Sequence, residues 1–313
     1  MNNRRVIFRV EGNDQVGHGH FMRCLTMARY LKDELTCEFA MSNPSRLALQ
    51  ELESHRLTWH KTPAKEQFHP DDPKSAEPWS FDLQGLLQPG DLLIMDGYRF
   101  DDTFIHASRQ TGSEVIQVLD FFDKPIQADA VITQIPITGC EVSTSVPAWS
   151  GVDGFLIRPE FYHDNQVPEK TAFDVFIYVS SEATLQKYSK DQFLNSKTVF
   201  ALTTADLQNE CENRGWLTSV SPEISSLVQT MRRCNYAILP ASTIAIEYYV
   251  ATGRIPRVMA LAKNQQWGMS KFVDAGIWHI HGSPESAQPK VQLEYNVIEN
   301  PCKSFLNWMH GRF

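Results

Sequence analysis

Apolar residues fall into two rhythms along this chain: short unbroken runs, and longer stretches in which they recur about every three or four positions. In the first half, the runs at Val6–Val10, Thr36–Met41, Asp91–Asp96, Glu114–Asp120 and Ala130–Thr133 predict strands. Helical spacing predicts helices over Phe21–Leu35, 46–52 and 102–111; in the first, Phe21, Leu25, Ala28, Leu31 and Leu35 share one face. Strands that are apolar throughout are buried on both faces, which implies a parallel sheet between layers of helix.

The second half repeats the pattern. Strands are expected at Phe173–Val179, Thr198–Thr203, Tyr236–Leu239 and Arg257–Leu261. Helices are expected at Thr184–Phe193, Leu207–Arg214, Glu223–Arg233, Ile244–Thr252, Asn264–Gly276 and, at the terminus, Phe305–Phe313. Residues 61–80 and 136–150 read as loops, Gly154–Ile157 as a short strand, and 158–170 as a linker rich in polar residues and proline. The chain is therefore expected to form two Rossmann-like α/β domains, 1–160 and 161–313, with a cleft between them. Ligands of open parallel sheets bind beyond the carboxyl ends of the strands. Here those ends are the loops 11–20, 96–101, 180–184, 240–243 and 262–268.

Composition narrows the class. The 313 residues are 42% hydrophobic and 21% charged, enough apolar material for two cores. A net charge of −8 and the lack of any long Lys/Arg run argue against a nucleic-acid partner. No apolar stretch approaches the roughly 20 residues of a membrane span, and the opening MNNRRVIFRV is too short in its apolar part for a secretory signal. The six cysteines are scattered without a CxxC pair, so neither a zinc site nor a disulfide scaffold is expected. A cytoplasmic protein without metal or cofactor is the resulting expectation.

Chemistry concentrates first in Arg9–Leu31, where a strand runs through Gly17-His18-Gly19-His20 into a helix that carries Arg23. Backbone N–H groups and the dipole at a helix start can meet an anion, and that end of a helix favours a neutral, proton-accepting imidazole. The spacing alone reads equally well as a capping turn with incidental histidines. It is not a dinucleotide fingerprint, because Met22 stands where GxGxxG needs its third glycine. Asp96-Gly97-Tyr98 ends a strand; Asp96 can orient a catalytic partner or simply satisfy turn N–H groups. Asp120 and Asp123 form a similar, weaker pair. Ser242 and Thr243 precede a helix bearing Glu247, a place for phosphate and ribose or an ordinary N-cap. Asn264 and Gln265 can read sugar hydroxyls or N-acetyl groups, as amides do, and are equally common in plain loops. His279 and His281 lack ligand partners at metal spacing.

In order, these segments resemble the UDP-sugar hydrolases of pseudaminic acid biosynthesis and the related spore-coat-type proteins. The resemblance is carried by Gly17-His18-Gly19-His20-Phe21-Met22-Arg23, Asp96-Gly97-Tyr98, Arg158-Pro159-Glu160-Phe161, Ser242-Thr243 with Glu247, and Ala262-Lys263-Asn264-Gln265. It runs from about residue 6 to about residue 280 and implies a GT-B-like architecture. It also implies metal-free hydrolysis of a UDP-linked 2,4-diacetamido-2,4,6-trideoxyhexose at the anomeric carbon, releasing UDP, in surface-glycan biosynthesis. By the same resemblance the catalytic residues are His20, the base that activates water, and Tyr98, which lies near the sugar as Asn264 does. Gly17, Gly19, Arg23, Asp96 and Gln265 join the substrate site, and Ser242, Thr243 and Glu247 hold the nucleotide. The family's glycine-rich loops are missing, however: the chain reads Tyr178-Val179-Ser180-Ser181-Glu182-Ala183 and Pro240-Ala241 in their places. Two alternatives therefore stand beside hydrolysis: a glycosyltransferase using the same kind of donor, and a non-catalytic sugar-nucleotide-binding homologue.

Overall fold

The computed structural model describes residues 4–13, 18–63, 79–120, 126–136, 146–162, 171–261, 263–282, 304–305 and 307–308. The chain forms two compact units: Met1–Leu156 together with Asn300–Phe313, and Ile157–Glu299. The boundary expected at residue 160 thus falls four residues earlier, after Leu156, and the C-terminal segment belongs with the first unit. Apolar packing accounts for that return, since the Trp149 ring meets Phe305 and Trp308 edge-on, each with centroids 5.2 Å away.

The first unit is built as β1 (Arg5–Val10), α1 (Gly19–Leu31), β2 (Thr36–Met41), α2 (Arg46–Ser54), β3 (Thr58–Lys61), β4 (Leu92–Asp96), α3 (Asp102–Gln110), β5 (Glu114–Val118), β6 (Ala130–Thr133) and β7 (Ala148–Ser150). Its seven strands lie in the order β3-β2-β1-β4-β5-β6-β7, with every pairing parallel. Alternate residues of β1 serve opposite faces. Val6, Phe8 and Val10 join Phe21, Leu25, Ala28 and Leu31 of α1 in one core. Ile7 joins Leu93, Met95, Phe104 and Ile105 in the other. The strand order reverses between β1 and β4, where Val10 pairs with Asp96 at the carboxyl edge. That reversal opens a crevice beside the strand ends, the usual ligand position of such sheets.

The second unit contains β8 (Phe173–Val179), α4 (Glu182–Ser189), β9 (Val199–Thr203), α5 (Gln208–Glu212), β10 (Leu217–Val220), α6 (Ile224–Arg232), β11 (Cys234–Pro240), α7 (Thr243–Thr252), β12 (Arg257–Met259), α8 (Lys263–Asp274) and β13 (His279–Ile280). Its sheet runs β10-β9-β8-β11-β12-β13, again all parallel, with the reversal between β8 and β11. Val175, Ile177 and Val179 pack with Leu185 and Tyr188 on one face. On the other, Phe176 stacks with Tyr248 at 6.3 Å. No helix among the described residues is long and apolar enough to cross a membrane.

Several elements differ from their expectation. Helix α1 stops at Leu31, because Lys32, Asp33 and Glu34 supply no apolar face and form a turn that returns Leu35 to the core edge. The run Phe155-Leu156-Ile157 is buried but not paired in the sheet; a 3₁₀ turn at Gly151–Gly154 leads into it. The helix expected over 184–193 is α4 followed by a second 3₁₀ turn at Gln192–Ser196. Most of the loops expected at 61–80 and 136–150 lies outside the described residues, and Ala148–Ser150 is a strand.

Glu11 and Gly12 close the carboxyl end of β1. The Glu11 carboxylate accepts from Arg9 Nη1 (2.6 Å), Ser42 Oγ (2.7 Å), Ser42 N (2.9 Å) and Asn43 N (3.3 Å), joining the ends of β1 and β2. Gly12 lies so close to α1 that a Cβ there would stand 2.6 Å from the Phe21 Cβ. Replacing it forces the helix and the strand end apart. The substitution Gly12→Ala is expected to destabilise the first unit by about 1–3 kcal/mol, the usual range for overpacking, read as a lower urea midpoint. A midpoint equal to wild type would show that α1 does not approach β1 this closely.

Candidate active site

The first turn of α1 meets the ends of β4 and β5 at the reversal of the first sheet. His20 and Arg23 are three residues apart on the helix, so both side chains face the same way. They face two strand-end carboxylates, Asp96 at the last residue of β4 and Asp120 just beyond β5. His20, Arg23 and Asp96 are buried. His20 Nδ1 lies 2.6 Å from Asp96 Oδ1. Arg23 donates from Nε to Asp96 Oδ2 and from Nη2 to Asp96 Oδ1 (2.6 Å), and from Nη1 and Nη2 to Asp120 (2.7 and 3.2 Å). Tyr98 donates its hydroxyl to Asp120 Oδ2 (2.9 Å) and sets its ring edge-on to His20, with centroids 4.8 Å apart.

The charges fix the protonation of this cluster. Burial alone raises the carboxyl pKa of Asp96, but Arg23 and then His20 outweigh it and hold the group below its ordinary 3.8. Asp120 is treated alike, burial being outweighed mainly by Arg23, and falls to about 2. Arg23 rises well above its ordinary value because the two carboxylates outweigh its burial. Tyr98 rises far above 10, from burial and then Asp120, and so remains a hydrogen-bond donor. Cys24, whose thiol points at Asp96 Oδ2 (3.7 Å), is likewise raised by burial and that carboxylate; it stays a thiol rather than a nucleophile.

Two ionised carboxylates and one guanidinium leave a net charge of −1 beside His20. Asp96 can only accept, so Nδ1 donates to it and Nε2 is left to take a proton. His18 differs. As the N-cap of α1 it turns Nε2 to Ser45 Oγ (2.8 Å), the hydroxyl that also caps α2. The structure thereby separates two histidines that sequence could not rank by spacing. Gly19 opens α1 with nothing within 4 Å of where a Cβ would stand. Gly17 lies outside the described residues.

Of the residues expected to bind substrate, Arg23 and Asp96 are bonded to each other inside the first unit. Asp120, set aside in the sequence as the weaker strand-end acid, is a full member of the cluster. Its signal was its position: Asp96 and Asp120 end adjacent strands, so they come side by side.

In the second unit, Ser242 is the N-cap of α7 with no side-chain capping bond, and Thr243 is the first helical residue. Glu247 is buried, and its Oε1 accepts from Arg158 Nε (2.9 Å) and Nη2 (2.7 Å). Burial raises the Glu247 carboxyl pKa, and Arg158 only partly offsets it. At the neighbouring loop, Ser181 caps α4 itself, accepting from Thr184 N (3.2 Å). Gln265 turns back to accept from Leu261 N (2.8 Å), and Asn264 sits in the first turn of α8 with its side chain outside what is described. Among the described residues no group of three or more His, Cys, Asp or Glu is placed to hold a metal ion.

No protein-family profile and no curated protein sequence matches the chain. Solved structures do. MurG of Acinetobacter baumannii is 12% identical with a TM-score of 0.56, covering 97% of this chain and 91% of its own. UGT2 of Phytolacca americana, solved with UDP-2fluoro-glucose and pterostilbene, is 10% identical with a TM-score of 0.53 over 91% and 87% of the two chains. CalG4, the calicheamicin glycosyltransferase, is 10% identical with a TM-score of 0.53 over 98% and 95%. At these identities the likeness establishes the fold alone: two parallel-sheet α/β domains of the GT-B fold.

The depressed Asp120 carboxyl links this cluster to stability. A carboxyl of about 2 in the fold, against an ordinary 3.8, stabilises the folded state fully above about pH 4 and loses that contribution as pH falls towards 2. The size is about 2 kcal/mol at most. Urea unfolding of the wild type is expected to weaken over this window more steeply than that of Asp120→Asn. Parallel curves for the two proteins would mean that Asp120 is not held by Arg23.

Proposed function

We propose that this protein transfers a glycosyl group from a nucleotide-activated sugar, with His20 as the general base. The observation that carries the reading is the buried His20–Asp96 bond, which fixes one ring nitrogen as donor and leaves Nε2 as the proton acceptor. In the reaction the acceptor oxygen gives its proton to Nε2 and forms a bond to the anomeric carbon. The bond from that carbon to the diphosphate breaks, and the nucleoside diphosphate leaves with its electron pair. The cluster carries a net charge of −1 beside the ring. That charge repels a diphosphate. The hydroxyls of Ser242 and Thr243 at the start of α7 are donors suited to a diphosphate. The fold likeness to UDP-sugar glycosyltransferases supports transfer above hydrolysis.

Hydrolysis, with water as acceptor, remains the second reading because the ordered motif His20, Arg23, Asp96-Gly97-Tyr98 resembles the UDP-sugar hydrolases. Under either reading Tyr98 stands beside the reacting sugar with its phenol tied to Asp120.

The assay is UDP release from UDP-N-acetylhexosamines and UDP-2,4-diacetamido-2,4,6-trideoxyhexoses, with and without N-acetylhexosamine-terminated oligosaccharides. Transfer predicts release that rises at least about tenfold with an oligosaccharide, and a fall of about 10²–10⁴-fold in His20→Ala. Release that ignores the oligosaccharide favours hydrolysis. UDP-sugar binding without release, or full activity in His20→Ala, would sink both enzymatic readings.

A further inference from the structure

Arg23 stands where it can undo the arrangement that makes His20 a base. Its Nη2 is 2.9 Å from His20 Nδ1, the atom that must donate to Asp96. A guanidinium nitrogen is always a donor, so a hydrogen directed from Nη2 to Nδ1 would require Nδ1 to accept. The ring proton would then sit on Nε2, and the base would be lost. Nη2 has two hydrogens, and both have carboxylate acceptors. One goes to Asp96 Oδ1 (2.6 Å) and the other to Asp120 Oδ2 (3.2 Å). Nη1 also reaches Asp120 (2.7 Å), so one carboxylate grips both ends of the guanidinium.

We propose that Asp120 fixes the tautomer of His20 without touching it, by holding the second Nη2 hydrogen of Arg23 away from Nδ1. Asp120 is thus a positioning residue acting through Arg23. Among the described residues, the groups bonded to or stacked on His20, or bonded to its partners, offer no other donor that could do the same work. From α1 these are Arg23 and Cys24, whose thiol faces the far oxygen of Asp96. From the end of β4 they are Asp96 and Tyr98, whose hydroxyl is given to Asp120. From the end of β5 there is Asp120 itself. Without Asp120 the Nη2 hydrogen it held is freed; Asp96 Oδ1 already takes the other one (2.6 Å), and Nδ1, at 2.9 Å, is the next acceptor within reach of Nη2. The catalytic consequence rests on His20 being the base; the tautomer itself does not.

The test is long-range ¹H–¹⁵N correlation on the ¹⁵N-labelled full chain, at a pH where the His20 ring is neutral. The wild type is expected to show a protonated Nδ1 and a pyridine-like Nε2. In Asp120→Ala the ratio of Nδ1–H to Nε2–H forms falls at least about tenfold. If Asp120→Ala loses native dispersion, Asp120→Asn is read instead: its single side-chain oxygen holds one guanidinium hydrogen where the carboxylate held two, so the ratio falls as well. Tyr98→Phe keeps both Arg23–Asp120 bonds and the wild-type ratio. An unchanged ratio in the folded Asp120 variant, an Nε2–H wild type, or an equal fall in Tyr98→Phe would overturn the proposal. These spectra need no substrate. An Asp120-dependent tautomer in a protein without turnover would refute the catalytic reading alone. Turnover lost in His20→Ala beside an Asp120-independent tautomer would refute this inference alone.

Discussion

Two carboxylates buried side by side repel each other, and one of them ordinarily takes up a proton to relieve the repulsion. In the first unit a single guanidinium prevents that. Arg23 lies between Asp96 and Asp120 and bonds to both. Each carboxylate stays ionised although buried or nearly so, and the pair keeps one negative charge in excess. Everything else in the site follows from that excess. Asp96 holds Nδ1 of His20 as a donor, Asp120 holds Tyr98, and the one place left for an incoming proton is Nε2. The scaffold is equally constrained. Glu11 ties the ends of β1 and β2, and Gly12 lets α1 lie against β1, so the first turn of the helix arrives at the strand ends in register.

Much of this was legible in the sequence, for a physical reason. Strands of a parallel sheet with both faces covered are apolar throughout, and β2, β6 and β8 have the bounds their apolar runs predict. Strands β3 and β10 were not anticipated because they lie at sheet edges. Thr58-Trp59-His60-Lys61 and Leu217-Thr218-Ser219-Val220 carry no apolar run of their own, and the adjoining strand supplies their pairing. The opposite error arose at Phe155-Leu156-Ile157, where burial without pairing produces the same apolar signature as a strand. His20, Asp96 and Tyr98 were recognisable because each sits at a strand end or a helix start. The role of Asp120 was not, since it depends on a helix residue 97 positions away.

The second unit gives a different lesson. The missing glycines suggested an altered nucleotide site, and the structure shows what the substituted residues do. Ser181 caps α4 with its own hydroxyl, whereas Ser242 at α7 makes no such bond. At α7 the corresponding N–H, that of Ala245, is taken by the Ser242 carbonyl (2.9 Å), which leaves the Ser242 hydroxyl out of the cap. Glu247 is buried, and its Oε1 is held by Arg158. Ser181, Gln265 and Glu247 thus each have a partner inside this unit, which sequence order alone does not reveal.

The account depends on His20 accepting a proton, not merely filling space beside Asp96. Chemical rescue separates the two most directly. In His20→Gly, imidazole and its substituted relatives are added while UDP release is followed. A base role predicts that turnover returns with imidazole concentration and rises with the basicity of the imidazole. A variant that stays inactive at every imidazole concentration while binding donor as tightly as wild type, or one that needs no imidazole at all, would contradict it.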